Sequence, residues 1–586
     1  HAAAIACYRA ALAADPAYFP ARLGLAEALA ADRQYDEANK RLAELTREYP
    51  GVSKVLLTQA RVLAWSRRYE EAVRAFRAMR QLNPSDPVPL KEGARAAAWG
   101  KDIDLAWDLY QELLKPPVDT VLARRLKSHG EDRRGQAGAR LETVLGGAAK
   151  QKETRREGGY IAYEEVSGLW PNIALQMDER DRAEVESALT ELRPIYRIQK
   201  EAWLEGRGKQ ALWNRRFAQA EDLYRELTTF SPGNQEALFD LAQANCALGL
   251  CNREESAYRR LLALDPLHNQ AGLAMRRMEA RQNPRLGGAW SYWSEDGRGE
   301  AARISRRRAD LSLSVPLFCR FQLKAAGLAW WERPRRWGGE AKASGFNLEA
   351  GGPFNGYVSA AMGWTHKNYQ SGDYKDLDSG FGEVWFSLRD YARVGIGWQR
   401  EDLVKNAFSL RAGSQVDTWW LGVNSWLTRR LEAAARVRWL DYNDGNRAHW
   451  ESLTLGYLLS DHPRELKLSL EASYRDTEDA TLEIYEGNQL VDMRYPYWTP
   501  QDWLGGTLTL EWRHDISANY FCGAAQHYYD LRLNLGAESK GNPGAGLEAL
   551  WHWDFALRWD VEARAMVYRS KEWDADGLWL SMGYRF

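Results

Sequence analysis

The chain has 586 residues, with 79 basic against 80 acidic side chains, a balance that argues against a nucleic-acid partner, which calls for a basic excess or stripe. Its five cysteines are too few for a disulfide scaffold, and no CxxC or CxxCH motif offers a zinc knuckle or haem attachment. The nine histidines are scattered and no nucleophile elbow appears, so no catalytic residue, metal or cofactor is assigned, and the chain does not read as an enzyme.

The first half is helical and repetitive. Prolines fall 34 residues apart, at Pro16, Pro50 and Pro84, and again at Pro232 and Pro266. Tyr35-Asp36-Glu37-Ala38, followed by Leu42 and Pro50, matches Tyr69-Glu70-Glu71-Ala72, followed by Phe76 and Pro84. Phe217-Ala218-Gln219-Ala220, with Tyr224 and Pro232, repeats the pattern. A further copy carries Cys251, Tyr258 and Pro266 with Glu254 in place of the alanine, and a weaker one carries Ile103, Ala106 and Tyr110. A small alanine lets two helices approach, an aromatic fills the gap between hairpins, and proline ends the second helix. These positions resemble tetratricopeptide repeats, expected over residues 1–118 and 197–283. Such repeats usually bind proteins along a concave face. The register puts His1 in the second helix of a repeat, so the chain is expected to be part of a longer one, and the lack of a signal peptide says nothing of location.

Residues 119–196 leave the period and read as an irregular helical segment or degenerate repeats, broken at Gly146-Gly147 and Gly158-Gly159. The charge run from Lys150 to Glu157 reads as a solvated face. Cys246 and Cys251 flank a helix–helix turn. They would bridge in an oxidising periplasm or stay as buried thiols, and the residues alone leave both open.

From Leu286 helical periodicity gives way to alternation. Leu578, Leu580, Met582, Tyr584 and Phe586 share one face, and Trp579, Ser581, Gly583 and Arg585 the other. Segments near 466, 508 and 531 behave alike. A soluble sandwich also alternates, but its strands usually run about five or six residues, and these are longer. Short turns such as Asn443-Asp444-Gly445 and Asp574 to Gly577 alternate with longer polar loops such as 367–378 and 476–500. Tryptophans gather at strand ends, as aromatic girdles do at a membrane interface. The expected fold is therefore an all-α solenoid followed, over 284–586, by an antiparallel transmembrane β-barrel of about 16 strands. A barrel of that size leaves an aqueous lumen.

Alternation assigns the inward faces. Charged candidates for the lumen are Glu383, Arg389, Arg393, Arg436, Arg438 and Glu471 in the middle strands. Later strands add Glu511, Arg513, Asp530, Arg532, Glu562 and Arg564. An arginine or lysine at mid-membrane facing lipid would cost about 2–4 kcal/mol, so these side chains are placed toward water. Trp385, Trp420 and Trp579 are inward aromatics by the same alternation.

Helical repeats joined to a barrel of this length resemble the exopolysaccharide exporters of Gram-negative bacteria, such as the porins for poly-β-1,6-N-acetylglucosamine, cellulose and Pel. The stretches Trp290-Ser291-Tyr292-Trp293-Ser294-Glu295-Asp296 and Tyr495-Pro496-Tyr497-Trp498-Thr499-Pro500 are similar to their first strand and to an aromatic stretch entering a late one. The resemblance implies an outer-membrane barrel with periplasmic repeats, and a polysaccharide substrate supplied by an inner-membrane synthase complex. It also implies a periplasmic polymer-modifying enzyme as partner, outer-membrane lipids around the barrel, and no nucleic acid. The competing architecture is a helical-repeat barrel that translocates surface lipoproteins, which a count near 14 strands would favour.

Overall fold

The computed structural model describes residues 1–130, 159–175, 177–299, 301–318, 320–335, 339–486, 489–539 and 541–586. The sequence features at Gly146-Gly147, Lys150 to Glu157 and Gly158 lie outside them. The chain divides into two compact units, residues 1–213 with 222–237, and residues 214–221 with 238–586.

Among the described residues fourteen helices precede the first strand. They are α1 (Ala2–Ala14), α2 (Phe19–Ala31), α3 (Tyr35–Glu48), α4 (Ser53–Trp65), α5 (Tyr69–Leu82), α6 (Val88–Trp99), α7 (Ile103–Leu113), α8 (Val118–Gly130), α9 (Ile161–Ala174), α10 (Glu179–Trp213), α11 (Phe217–Phe230), α12 (Gln235–Ala247), α13 (Cys251–Leu264) and α14 (Asn269–Arg281). The repeat positions do what their chemistry requires. Ala38, Ala72, Ala106 and Ala220 are buried, and so are Leu42, Phe76, Tyr110, Tyr224 and Tyr258. Each proline follows a helix end by two residues, as Pro50 follows α3 and Pro84 follows α5.

A second periodic mark is conformational. Arg33, Arg67, Lys101, Arg215 and Gly249 all have φ between 59° and 72°. Each follows the first helix of a hairpin, where a left-handed residue lets following amides satisfy the last carbonyls. Arg33 N donates to Ala30 O at 3.0 Å and Gln34 N to Leu29 O at 2.9 Å. Where glycine is usual the protein mostly carries a basic residue, so composition does not show the mark.

The off-period segment is α8, α9 and the first part of α10, which enclose a core of their own around Tyr160, Tyr163, Val166 and Leu189. α10 runs 35 residues, so the expected boundary at 196–197 falls inside one helix. Its later turns rejoin the stack: Arg95 of α6 pairs with Glu205 of α10 at 2.5 Å, and Tyr110 Oη donates to Glu205 at 2.8 Å. Burial alone would raise the Glu205 carboxyl, but Arg95 holds it well below the usual carboxylate range.

The strands follow. They are β1 (Arg285–Gly297), β2 (Ala302–Phe318), β3 (Phe321–Pro334), β4 (Ala341–Pro353), β5 (Val358–Tyr369), β6 (Leu377–Leu388) and β7 (Ala392–Asp402), then a short α15 (Ala407–Ala412). Next come β8 (Gln415–Trp426), β9 (Leu431–Tyr442), β10 (Arg447–Ser460), β11 (Arg464–Thr477), β12 (Thr481–Glu486), β13 (Gln489–Arg494), β14 (Trp503–Asp515), β15 (His527–Glu538), β16 (Gly544–Trp553), β17 (Trp559–Ser570) and β18 (Trp573–Arg585). Sixteen of them close a barrel in which every neighbour is antiparallel and β1 pairs with both β2 and β18. The other two, β12 and β13, form a ribbon in the connection from β11 to β14. Asp574 to Gly577, expected as a turn, lie inside β18, all four paired to β1 and Ala575 to Gly577 also to β17.

Alternate residues of the barrel are apolar and exposed: Leu453, Leu455, Tyr457 and Leu459 on β10, Leu531, Leu533 and Leu535 on β15, Leu578, Leu580 and Met582 on β18. In water such a surface would aggregate. Around a closed sheet, which leaves no backbone unpaired, it is what a bilayer solvates. Exposed aromatics sit toward both rims, with Phe354, Tyr357, Tyr391 and Phe555 at the end that holds the termini of the barrel and Trp419 and Trp439 toward the far end.

Candidate functional site: the inner wall of the barrel

Strand register decides which side chains share the inner face. Trp420 of β8 stands opposite Gly397 of β7 and Arg438 of β9. Arg438 stands opposite Trp450 of β10, Trp450 opposite Arg475 of β11, and Arg475 opposite Trp503 of β14. Tryptophan and arginine thus alternate across adjacent strands in the row Trp420–Arg438–Trp450–Arg475–Trp503. The Arg475 guanidinium lies 4.9 Å from the Trp450 ring centre and 4.7 Å from that of Trp503. One row away Arg436 lies 4.8 Å from Trp420, and a row further Arg393 lies 5.3 Å from Trp385. The Trp385 and Trp420 rings are 5.2 Å apart.

Glycine makes these stacks possible. A Cβ on Gly395 would come within 2.5 Å of the Trp385 ring, on Gly397 within 2.6 Å of Trp420, on Gly505 within 2.2 Å of Trp503 and on Gly577 within 2.2 Å of Trp579. Each ring therefore lies close over a glycine of the wall, with an arginine over the ring. This changes the part expected of the tryptophans. Trp420 faces inward but is 6% exposed, and Arg436 is over it. The groups offered to the lumen are guanidinium edges more than open aromatic faces.

Across the barrel the charges are paired. Arg532 meets Glu511 at 3.1 Å and Glu548 at 3.5 Å, Arg564 meets Glu548 at 2.8 Å, and Arg513 meets Asp530 at 3.8 Å. Arg285 and Arg585 share Asp560, and Glu562 lies 3.3 Å from His552. Among the described residues, Arg436, Arg438 and Arg475 have no such carboxylate. Glu383 and Glu471 are inward as expected, opposite Gly397 and Thr507. Arg389 is not on a strand. It occupies the β6–β7 turn with φ 50°, because the sheet must reverse there.

Two loops fold into the far mouth. Val404 and Leu410, around α15, pack on inward Ile304, Ala341, Ala343, Tyr369 and Leu377. In the β11–β14 connection, Tyr495 and Tyr497 pack on Val416, Leu440, Tyr442 and Ala448, and the Tyr442 and Tyr497 rings stack at 4.3 Å. Asn406 joins the loops: its Nδ2 donates to Pro496 O at 2.9 Å, and its Oδ1 caps α15. Trp498 of the second loop lies under Arg298 of the β1–β2 turn, 3.5 Å from guanidinium to ring centre.

The opposite mouth is joined to helical residues of the same compact unit. Asp390 in the β6–β7 turn accepts from Ala218 N at 2.8 Å and Gln219 N at 3.0 Å, capping α11, and Arg277 of α14 meets Asp554 at 3.1 Å. Cys246 of α12 is disulfide-bonded to Cys522 in the β14–β15 loop, so the Cys246–Cys251 bridge does not form. The α12–α13 turn sets the two cysteines on different helices, while the β14–β15 loop brings Cys522 to Cys246: Cys522 N donates to Gln243 Oε1 at 2.6 Å. Cys251 is itself disulfide-bonded. Glu254, in place of the repeat alanine, is buried, and burial pushes its carboxyl up against the pull of Arg320 and Arg281.

Of the residues missing from the sequence-based set, Trp450, Arg475 and Trp503 obey the same alternation and lie within its reach. Arg298 on a turn and Trp498 in a loop carry no periodic signal.

A tetratricopeptide-repeat model matches residues 1–62. No curated protein matches the chain. Among solved structures, a "bacterial polysaccharide outer membrane secretin" is similar over 52% of this chain and 99% of its own, at TM-score 0.40 and 13% identity. OpdO of Pseudomonas aeruginosa covers 52% of this chain and 96% of its own at TM-score 0.28 and 11% identity. The CymD monoaromatic hydrocarbon channel covers 54% and 93% at TM-score 0.28 and 10% identity.

Proposed function

We propose that the protein is an outer-membrane export porin that passes a secreted exopolysaccharide from the periplasm to the cell surface. The observation that carries this reading is the inner wall: a closed sixteen-strand barrel lined by charged and aromatic side chains, with helical hairpins docked at one mouth. A sugar chain presents hydroxyls and apolar ring faces. It slides best along many weak polar and aromatic contacts, none strong enough to stall it, as ions pass a channel. The helical mouth then faces the periplasm. There the repeats receive the polymer from an inner-membrane synthase or dock an enzyme that modifies it. The far mouth faces outward, and its two infolded loops swing aside for the chain.

The full-length protein in a planar bilayer is expected to conduct, in current steps that soluble oligosaccharides interrupt from the helical side. Zero conductance that persists after residues 481–494 and 404–412 are deleted would overturn the reading, and so would an open pore that no oligosaccharide blocks.

A further inference from the structure

We propose that the tryptophan–arginine row selects a carboxylate-bearing polysaccharide, one with uronic-acid units; this rests on the export reading. Arg438 has Arg436 as its foremost charged neighbour, and Arg475 has Arg298 and Arg438. Four guanidinium groups therefore gather at one side of the lumen and its far mouth. The carboxylates that act on them, Glu401, Glu471 and Glu538, with Glu295 and Glu572 also at Arg298, form an ion pair with none of the four among the described residues. On β14 to β17, by contrast, Arg513, Arg532 and Arg564 each meet a cross-strand carboxylate. Here the like charges repel, and an anion is the ligand that relieves them.

The donors are also left over. Arg298 Nη1 and Trp450 Nε1 are buried without a hydrogen-bond partner among the described residues. A guanidinium forks onto a carboxylate through two parallel N–H donors, and a ring beneath it fixes the fork in place. Spacing suits a sugar. Cross-strand neighbours lie about 4.5–5.5 Å apart, about the length of one pyranose ring, so a chain lying along the row keeps step with it while its carboxylates reach the arginines. Arg438 and Arg475, two strands apart, lie roughly 10 Å from one another and so meet alternate units.

The test uses the full chain in planar bilayers with three probes of matched length: oligogalacturonate, a neutral cello-oligosaccharide and a cationic glucosamine oligomer. Oligogalacturonate is expected to block at concentrations about tenfold lower than the neutral probe, an advantage that fades as salt is raised. The triple variant Arg436→Gln, Arg438→Gln, Arg475→Gln is expected to erase that advantage while block by the neutral probe persists. Lysine at the same three positions keeps the charge but loses the fork, and is expected to restore it in part. Equal or stronger block of the wild type by the neutral or cationic probe would overturn the proposal and leave export standing. So would a triple variant that keeps the preference for oligogalacturonate. The wild-type ranking alone decides the matter if the variants do not insert. Failure of all three probes to block an open pore would instead remove the export reading itself.

Discussion

Two walls of one barrel use the same device to different ends. On β17 and β18 the stack is Gly577, Trp579 and Arg564, with Arg564 tied to Glu548 at 2.8 Å. On β11 and β14 it is Gly505, Trp503 and Arg475, with no carboxylate at hand among the described residues. Glycine lets the ring lie close to the sheet, and the ring positions the cation on both walls. Only the partner differs. Whether an arginine solvates its own wall or waits for a ligand is decided by one neighbouring side chain, and neither the strand pattern nor the aromatic platform reveals which.

The sharpest way to test the contrast is to turn one wall into the other. Glu548→Gln strips Arg564 of its carboxylate and leaves Arg532 with Glu511. Arg564 then stands over Trp579 as Arg475 stands over Trp503. With Glu548 buried but Arg564 still open to water, the pair is taken at about 1 kcal/mol, so freeing this cation is expected to tighten oligogalacturonate block by up to about fivefold. Dose–response in single-channel recordings measures it, and weaker block would mean that the paired wall takes no part in binding. Gly397→Ala attacks the platform instead. Its Cβ would lie 2.6 Å from the Trp420 ring, which must tilt and carry Arg436 with it. Overpacking of this kind costs about 1–3 kcal/mol, spread between the barrel and the stack, and block is expected to weaken about threefold. Gly382→Ala, on the outer face of β6 with open space beyond it, is the matched control and should leave block unchanged.

Alternation made the barrel legible, because a lipid-facing residue must be apolar and its neighbour on the strand need not be. Hence Arg393, Arg436, Arg438, Trp385 and Trp420 fall inward as their positions suggest. The repeats were legible for a similar reason: Ala72 and Phe76 each have a single steric task. Arg389 went astray because a periodic rule runs past the end of a strand into a turn, where it no longer applies. The buried state of Trp420 could not be foreseen, since it depends on Gly397 one strand away and Arg436 on the other side. Cys246 finds Cys522, 276 residues distant, and sequence spacing favours the near cysteine over the far one. Pairings set by closure of the whole sheet lie beyond any local pattern.

The smallest expected effect on the lumen separates the docked mouth from the selective wall. In the variant Cys246→Ser, Cys522→Ser the covalent tie between α12 and the β14–β15 loop is gone, while the Gln243 bond to Cys522 N, the Arg320 bond to Cys246 O and the Arg277–Asp554 pair remain available. Loss of a native disulfide usually costs about 2–5 kcal/mol, because the opened state is no longer held together. Here that cost falls on undocking of the helices, so residues 238–281 should be cut faster by a protease at limiting concentration, and reducing agent, which also opens the Cys251 disulfide, should speed cutting of the wild type at least as much. The tryptophan–arginine row makes none of these contacts, and its one member on β14, Trp503, starts that strand at the end away from the β14–β15 loop. Oligogalacturonate block is therefore expected to stay within about twofold of the wild type. A large change in block would show that the docked helices shape the lumen, and that the contrast between its walls is not set by side-chain partners alone.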